Sequence, residues 1–338
     1  MATAPSPPLR LNLCTLLTES KRIIKAHSRH FLALSVLFLL PLSFSVTVYP
    51  TLQNLVNQSA AQNAKVLLSR TTNLIVHQDP SPSGPLITAQ SLVLPLLFTI
   101  FTSALSLLAV GSITYSVFHG FYGRPVKLVS AIGSAFTSFL PLLVTVVFAQ
   151  IIVLGILLVS GSLLFLVIKG IELVGVRAEQ SSPYLIGIAL TVLVLVLIYL
   201  QLNWTLLGVV VVVEKRWGLE PLKRSSSLVN GVRKVALSSV LFFGVLAVTL
   251  FAGSTFVELG STNVEWKIWG FVAQIVESSI ILTLLFLYNI ASSTILYMFC
   301  KAVNGELASE IAEEFAGEYV SLPFDDGKVP HVVSVVCT

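Results

Sequence analysis

Apolar residues gather in six long runs along this chain, at about 31–49, 91–118, 138–168, 185–213, 236–257 and 268–299. A hydrocarbon core of roughly 30 Å takes about 20 helical residues to cross, so each run predicts a membrane-spanning helix. The third run is long enough to tilt or to include an interfacial turn, and Pro141 predicts a bend in it. The small-residue patch Val159–Ser162 is one that a helix tolerates, so the run is not split.

The polar segments between runs carry a second pattern. Leu219, Leu222, Val229 and Val232 recur at helical spacing, with Lys223 and Arg224 assigned to the polar face. Near the N-terminus, Leu13, Leu16, Leu17, Ser20, Ile24, His27 and Phe31 form one stripe, with Lys21, Arg22, Lys25 and Arg29 mostly off it. Both segments predict amphipathic helices lying in the headgroup region before a span begins. The loops "GRPVKLVSAIGSAF" and "GLEPLKRSSSLVNGV" also share Pro-apolar-Lys-x-x-Ser-x-apolar, with proline suited to the first helical turn. The chain therefore reads as three tandem units, about 1–119, 120–213 and 214–300, each an interfacial helix followed by two spans. The expected fold is an all-α, six-span membrane helix bundle: an N-terminal segment 1–30, a membrane domain 31–300 and an acidic tail 301–338.

Composition agrees with the pattern. Of 338 residues, 55% are hydrophobic and only 11% charged, against about 25% charged in soluble domains. The formal charge of +4 is no nucleic-acid signal, because the basic residues sit in the loops. Their distribution sets an orientation. With the N-terminus in the cytosol, only Lys65, Arg70, Lys169, Arg177 and Lys267 fall outside, and the other fifteen of the twenty Lys/Arg fall inside. Six of those fifteen, Lys215, Arg216, Lys223, Arg224, Arg233 and Lys234, form a basic loop expected to face anionic headgroups. The sequon at Asn57 lies in the longest outside loop and is a candidate glycosylation site, while the one at Asn203 lies within a span and should be inert. Cys14, Cys300 and Cys337 show neither metal nor disulfide spacing and fall on the reducing side. The first run, starting at Phe31, is longer than a cleavable signal core and reads as a retained anchor. The Met-Ala start lacks the glycine that myristoylation needs.

The loop "EKRWGLEPLKRSSSLVNG" resembles a signature Glu-x3-Gly…[Lys/Arg]-Arg-Ser-x2-Leu-x2-Gly, carried here by Glu214, Gly218, Arg224, Ser225, Leu228 and Gly231. It is similar to bacterial multi-pass proteins of unknown function and to the membrane domain attached to some glycerophosphodiester phosphodiesterases. The tail "EYVSLPFDDGKVPHVVSVV" looks like that of a plant family of six-pass membrane proteins without established function. Neither resemblance implies an activity, since catalysis in the phosphodiesterases belongs to a separate soluble domain.

Five histidines and three aspartates accompany no HExxH, GxSxG or phosphate-binding glycine loop, so neither catalysis nor a cofactor is expected. The sharpest intramembrane feature is Glu277, nine residues into the last run and so roughly 13–14 Å deep. A carboxylate near the midplane is a functional candidate, with Gln274 on its face and Gln150, Gln201 and Asn203 as candidate partners from other spans. One reading is a proton or cation site in a transporter or channel, and the blander one is a hydrogen-bonded Glu that glues helices together. Residues 302–318 predict a helix extending the last span, and Tyr319 and Leu322 then fit the Tyr-x-x-apolar form read by cytosolic sorting adaptors. The acidic stretch before them faintly resembles ligands of endoplasmic-reticulum contact-site receptors. Cys300, at the end of the last run, is a candidate for S-palmitoylation. The expectation is a non-enzymatic membrane-organising or trafficking-associated protein of the endomembrane system or plasma membrane. Its expected partners are anionic lipids and an adaptor or contact-site protein, and the alternative is transport through Glu277.

Overall fold

A computed structural model describes residues 12–53, 56, 89–124, 126–173, 178–257 and 264–306. Among the described residues the chain is helical, without strands. Helix α1 (Leu13–Ala26) opens with the Asn12 N–H donating to Thr15 Oγ1 at 3.0 Å and ends at His27, where φ −119° and ψ 40° turn the chain. Then come α2 (Ser28–Gln53), α3 (Ala89–Phe121), α4 (Leu128–Leu173), α5 (Ala178–Trp204) and α6 (Leu207–Glu214). The series closes with α7 (Glu220–Val229), α8 (Arg233–Val257) and α9 (Val264–Val303). Six helical stretches are long and apolar enough to cross a membrane: α2, α3, α4, α5 with α6, α8 and α9. The predicted six-span bundle is therefore the fold, and the protein is a multi-pass membrane protein.

Three details differ from the sequence reading. In the first span, Ser35–Leu39 form a π-helical turn inside α2. The fourth run is broken at Thr205–Leu206 into α5 and α6. In the middle unit the expected interfacial helix is the first part of α4 itself, because nothing between Leu128 and Pro141 stops a helix. Pro141 stays inside α4, its own carbonyl accepting from Thr145 Oγ1 at 2.8 Å. By contrast, α7 is a separate element, ended at Asn230–Gly231 before α8 begins. The two loops that suggested a repeat do share a backbone device: Gly123 (φ +71°) and Gly218 (φ +79°) both turn left-handed a few residues before their helices start.

The packed core sits at one end of the bundle. It joins Leu16 and Ile23 of α1, Phe31 and Leu34 of α2, Ile113 and Val117 of α3, Val209 and Val210 of α6, Leu228 and Val229 of α7, and Ile295–Met298 of α9. Helix α9 is the central post, with half of its most apolar window buried, whereas none of the corresponding window in α4 is. At about 1.5 Å per residue, the 43-residue, mostly apolar stretch Leu128–Gly170 reaches roughly 65 Å, twice the hydrocarbon thickness. The buried residues of α4 lie in its first half, at Ala131, Ala135, Leu142, Thr145 and Ala149. There the backbones come close: a Cβ placed on Gly111 of α3 would lie 3.0 Å from Ala135 Cα. Small residues at such crossings are what allow two spans to touch.

Candidate functional site

The residues of the loop signature converge at the packed end. Val209–Val212 are all buried, so α6 is enclosed on every side, and it delivers Glu214 into a nearly dry position with 10% of its side chain exposed. Lys215 then adopts φ 53°, a left-handed conformation that stops the helix. Gly218 does the same without a Cβ to strain it and lets the chain return as α7, with Pro221 in its first turn. Within α7, Arg224 turns back to Glu214, its Nε donating to Oε1 at 3.2 Å. The outer face of the same guanidinium grips Glu306, one N–H donating to Oε1 at 3.0 Å and the other to Oε2.

Two further groups complete the cluster. Tyr297 of α9, fully buried, donates its hydroxyl to Glu214 Oε1 at 3.0 Å, and Lys301 Nζ lies 5.4 Å from its ring centre. Arg216 Nε lies 3.2 Å from Glu214 Oε2, although that oxygen has no well-aligned donor among the described residues. Glu214, Arg224 and Glu306 therefore tie the end of α6, the middle of α7 and the chain just beyond α9 into one lock. The rest of the signature is structural too. Ser225 Oγ donates to the Asn203 carbonyl at 2.6 Å, satisfying an acceptor near the break between α5 and α6. Leu228 is core, and a Cβ on Gly231 would meet Val303 and Asn304 at 3.6 and 3.8 Å.

The lock corrects the reading of the basic loop. Arg224, placed by the sequence on the polar face, turns inward, and only 25% of its side chain is exposed. Arg216 pairs with Glu214 and lies 4.0 Å from Glu220, and the Arg233 Nε donates to Asn230 Oδ1 at 3.0 Å. Lys215, Lys223 and Lys234 are exposed and make no ion pair among the described residues. A planar guanidinium that binds carboxylates bidentately suits the inward role, and a strongly hydrated ammonium the outward one. The predicted apolar stripe of α7 is likewise turned into the bundle rather than onto headgroups. Leu222, Val229 and Val232 are buried, and only Leu219 is open.

Glu277 is not where the sequence reading placed it. Thr283 Oγ1 donates to Ser43 Oγ at 3.0 Å, and Ser279 Oγ meets Thr47 Oγ1 at 3.5 Å. Helices α2 and α9 are thus antiparallel in a register that sets Glu277 level with Tyr49, the last residue of the first apolar run. Tyr49 stacks on Phe98 with ring centres 3.8 Å apart, an aromatic pair suited to a membrane boundary. Glu277 is exposed and makes no hydrogen bond or ion pair among the described residues. Neither Gln274, on the same helix, nor the expected partners from other spans hydrogen-bond to it among the described residues. Gln150 and Gln201 are exposed, Gln274 is half-buried with its carbonyl accepting from Ser278 Oγ at 2.6 Å, and the Asn203 amide donates to the Tyr199 carbonyl at 2.8 Å. Counting inward from residue 268 sets Glu277 too deep, because the stretch of α9 apolar enough to cross a membrane is Val272–Val303, displaced toward the C-terminus, and Glu277 lies near its beginning.

Two other expectations change. Cys300 is 1% exposed within the core, so its thiol is sealed from an acylating enzyme. The tail does not continue α9 without interruption, because Gly305 (φ +75°) ends it just after Val303. Asn57, Tyr319 and Leu322 lie outside the described residues. No group of His, Cys, Asp and Glu among the described residues could hold a metal ion.

The lock gives the charged end a pH response. Arg224, hydrogen-bonded to Glu306, holds that carboxyl below the usual carboxylate range, against a smaller opposing effect of burial, and the same pairing raises the guanidinium further. A depressed carboxylate contributes stability that is fully present above its unfolded pKa and is lost as pH falls through the folded one. Acidification through and below the usual carboxylate range should therefore lower the protection of the Asn304 and Gly305 amides, which bond to Cys300 and Ala302, measured as their hydrogen-exchange rate relative to that of an unstructured amide at the same pH. Glu306→Gln should abolish the pH step, and a step of unchanged size in that variant would place its origin elsewhere.

No curated protein and no solved structure matches this chain. A family model described as a domain of unknown function, DUF8558, matches residues 8–331, nearly the whole sequence. The chain belongs to that family.

Proposed function

We propose that this protein is a non-enzymatic, membrane-organising or trafficking-associated component of the endomembrane system or plasma membrane. Its termini are cytosolic, and it presents its acidic C-terminal segment to cytosolic proteins from a fixed platform. The observation that carries this reading is the lock. Its charged groups bind one another, and what they fix is the point at which the tail leaves the bundle. A tail with a fixed point of departure has a smaller volume to search, which raises the effective concentration of any motif it carries. The bias of Lys/Arg toward the end that carries the lock supports a cytosolic placement. The transport alternative needs a carboxylate deep in the membrane, and the Ser43–Thr283 register gives it no support.

Proximity labelling from the C-terminus tests the proposal, comparing wild type with the Tyr319→Ala, Leu322→Ala double variant. Coat adaptors or contact-site proteins should be labelled by wild type and drop out in the variant. An identical set of neighbours containing neither class would end the trafficking reading. Glu306→Gln, which frees the tail while keeping its motif, should weaken the same labelling without changing which proteins are labelled.

A further inference from the structure

Two apolar clefts run along α9 on either side of a ridge formed by Leu284 and Tyr288. One, of about 440 Å³, lies against α8 and is walled by Phe242, Phe243, Leu246 and Leu250. The other, of about 390 Å³, lies against α2 and is walled by Leu32, Val36 and Leu40. Both volumes fall in the range of about 300–1,000 Å³ typical of small-molecule sites. Lys21 of α1 borders both clefts and Lys25 borders the second. Both lysines are exposed, and neither makes an ion pair among the described residues.

The second cleft also contains an unexplained polar group. Ser35 lines it and is 5% exposed, and its hydroxyl is buried without a hydrogen-bond partner. Ser35 opens the π-helical turn of α2, a distortion found mostly at functional sites. Its carbonyl is taken by the Leu40 N–H, which leaves the hydroxyl as the free donor. A buried donor without an acceptor costs stability unless something fills the cleft and accepts from it.

We propose that the protein binds one anionic diacyl phospholipid at this place, its headgroup against Lys21 and Lys25. An acyl chain lies in each cleft, on either side of the Leu284–Tyr288 ridge. Ser35 donates to an ester carbonyl of the chain in the second cleft. Charge selects the headgroup, since two unpaired ammonium groups favour phosphatidylserine over zwitterionic phosphatidylcholine. The apolar walls accept either lipid, so discrimination rests on the lysines. This site is separate from the lock and from the tail, and it stands whether or not the tail reading holds.

The test uses delipidated full-length protein in detergent, titrated with phosphatidylserine or phosphatidylcholine and read by native mass spectrometry. Wild type should retain one phosphatidylserine, and phosphatidylcholine should bind far more weakly. Lys21→Gln with Lys25→Gln should lower phosphatidylserine affinity about 30-fold, the equivalent of roughly 2 kcal/mol. Lys21→Arg with Lys25→Arg should keep it within a few-fold and guards against a folding defect in the first pair. Removing two charges elsewhere, Lys223→Gln with Lys234→Gln, should leave it unchanged, and Leu284→Trp, which fills both clefts, should weaken both lipids. Equal retention of the two lipids, retention of neither, or equal losses from the two Gln pairs would each overturn the proposal.

Discussion

Arg224→Ala should be the most damaging single change at the charged end, lowering stability by about 3 kcal/mol. The loss arises in what remains. Glu214 stays in a position with 10% exposure, hydrogen-bonded among the described residues by Tyr297 alone and approached by a badly aligned Arg216. Removing one partner of a buried pair costs about 3–5 kcal/mol, and the lower end applies because a quarter of Arg224 is open to solvent. Glu214→Gln should be milder, about 1–2 kcal/mol, since the amide still accepts from Tyr297 and Arg224 keeps Glu306. Glu306→Gln should cost under about 1 kcal/mol, as expected for a carboxylate that is 36% exposed. Combining Glu214→Gln with Arg224→Met should recover much of the Arg224→Ala loss, because no buried charge is then left alone. Thermal melts in detergent give this order directly. If Glu306→Gln proved as damaging as Arg224→Ala, the exposed half of the lock would dominate and this account would be wrong.

Gly111→Val should be comparably severe, at roughly 2–3 kcal/mol, and should separate α3 from α4. The added Cβ would sit 3.0 Å from Ala135 Cα, an atom that moves only with the helix backbone. Trimming the neighbour with Ala135→Gly should therefore fail to rescue it, since the clash is not with a side chain. The control is Gly155→Ala in the same α4 helix, where nothing lies within 4 Å of the new methyl. That change should be neutral or stabilising by up to about 1 kcal/mol through helix propensity. Cysteine crosslinking between α3 and α4, combined with melts, separates loss of the crossing from general unfolding. Rescue by Ala135→Gly would show that the helices can shift apart at little cost.

These cases show where sequence reading works. Six spans were legible because crossing a membrane imposes a length and an apolar composition that single runs display on their own. The division of labour among the loop's cations was not. Counting Lys and Arg together sets topology, yet it hides that Arg216, Arg224 and Arg233 bind protein while Lys215, Lys223 and Lys234 make no ion pair among the described residues. The signature around Glu214 and Arg224 was visible as a pattern, but its meaning lies in Tyr297 and Glu306, more than eighty residues away. The break at Thr205–Leu206 carries no proline or glycine at its centre, so no local signal announced it. Gly111 and Gly155 look alike along the chain and differ only in what crosses them. Glu277 was found as a residue and misplaced in depth, because register between helices is set by pairs such as Ser43–Thr283.

The span of the lock along the chain also bears on biosynthesis. Glu214 and Arg224 enter the membrane system with the fourth span and the loop after it, yet Tyr297 and Glu306 emerge only at the end of the sixth. During translation the nascent bundle therefore carries an open acid–base pair whose closure waits for the final helix. Chains halted or cut before α9 keep Glu214 without its hydroxyl donor and Arg224 without its outer carboxylate. Such intermediates differ chemically from the finished protein at one exposed corner, which gives quality-control factors a feature by which to tell completed molecules from truncated ones.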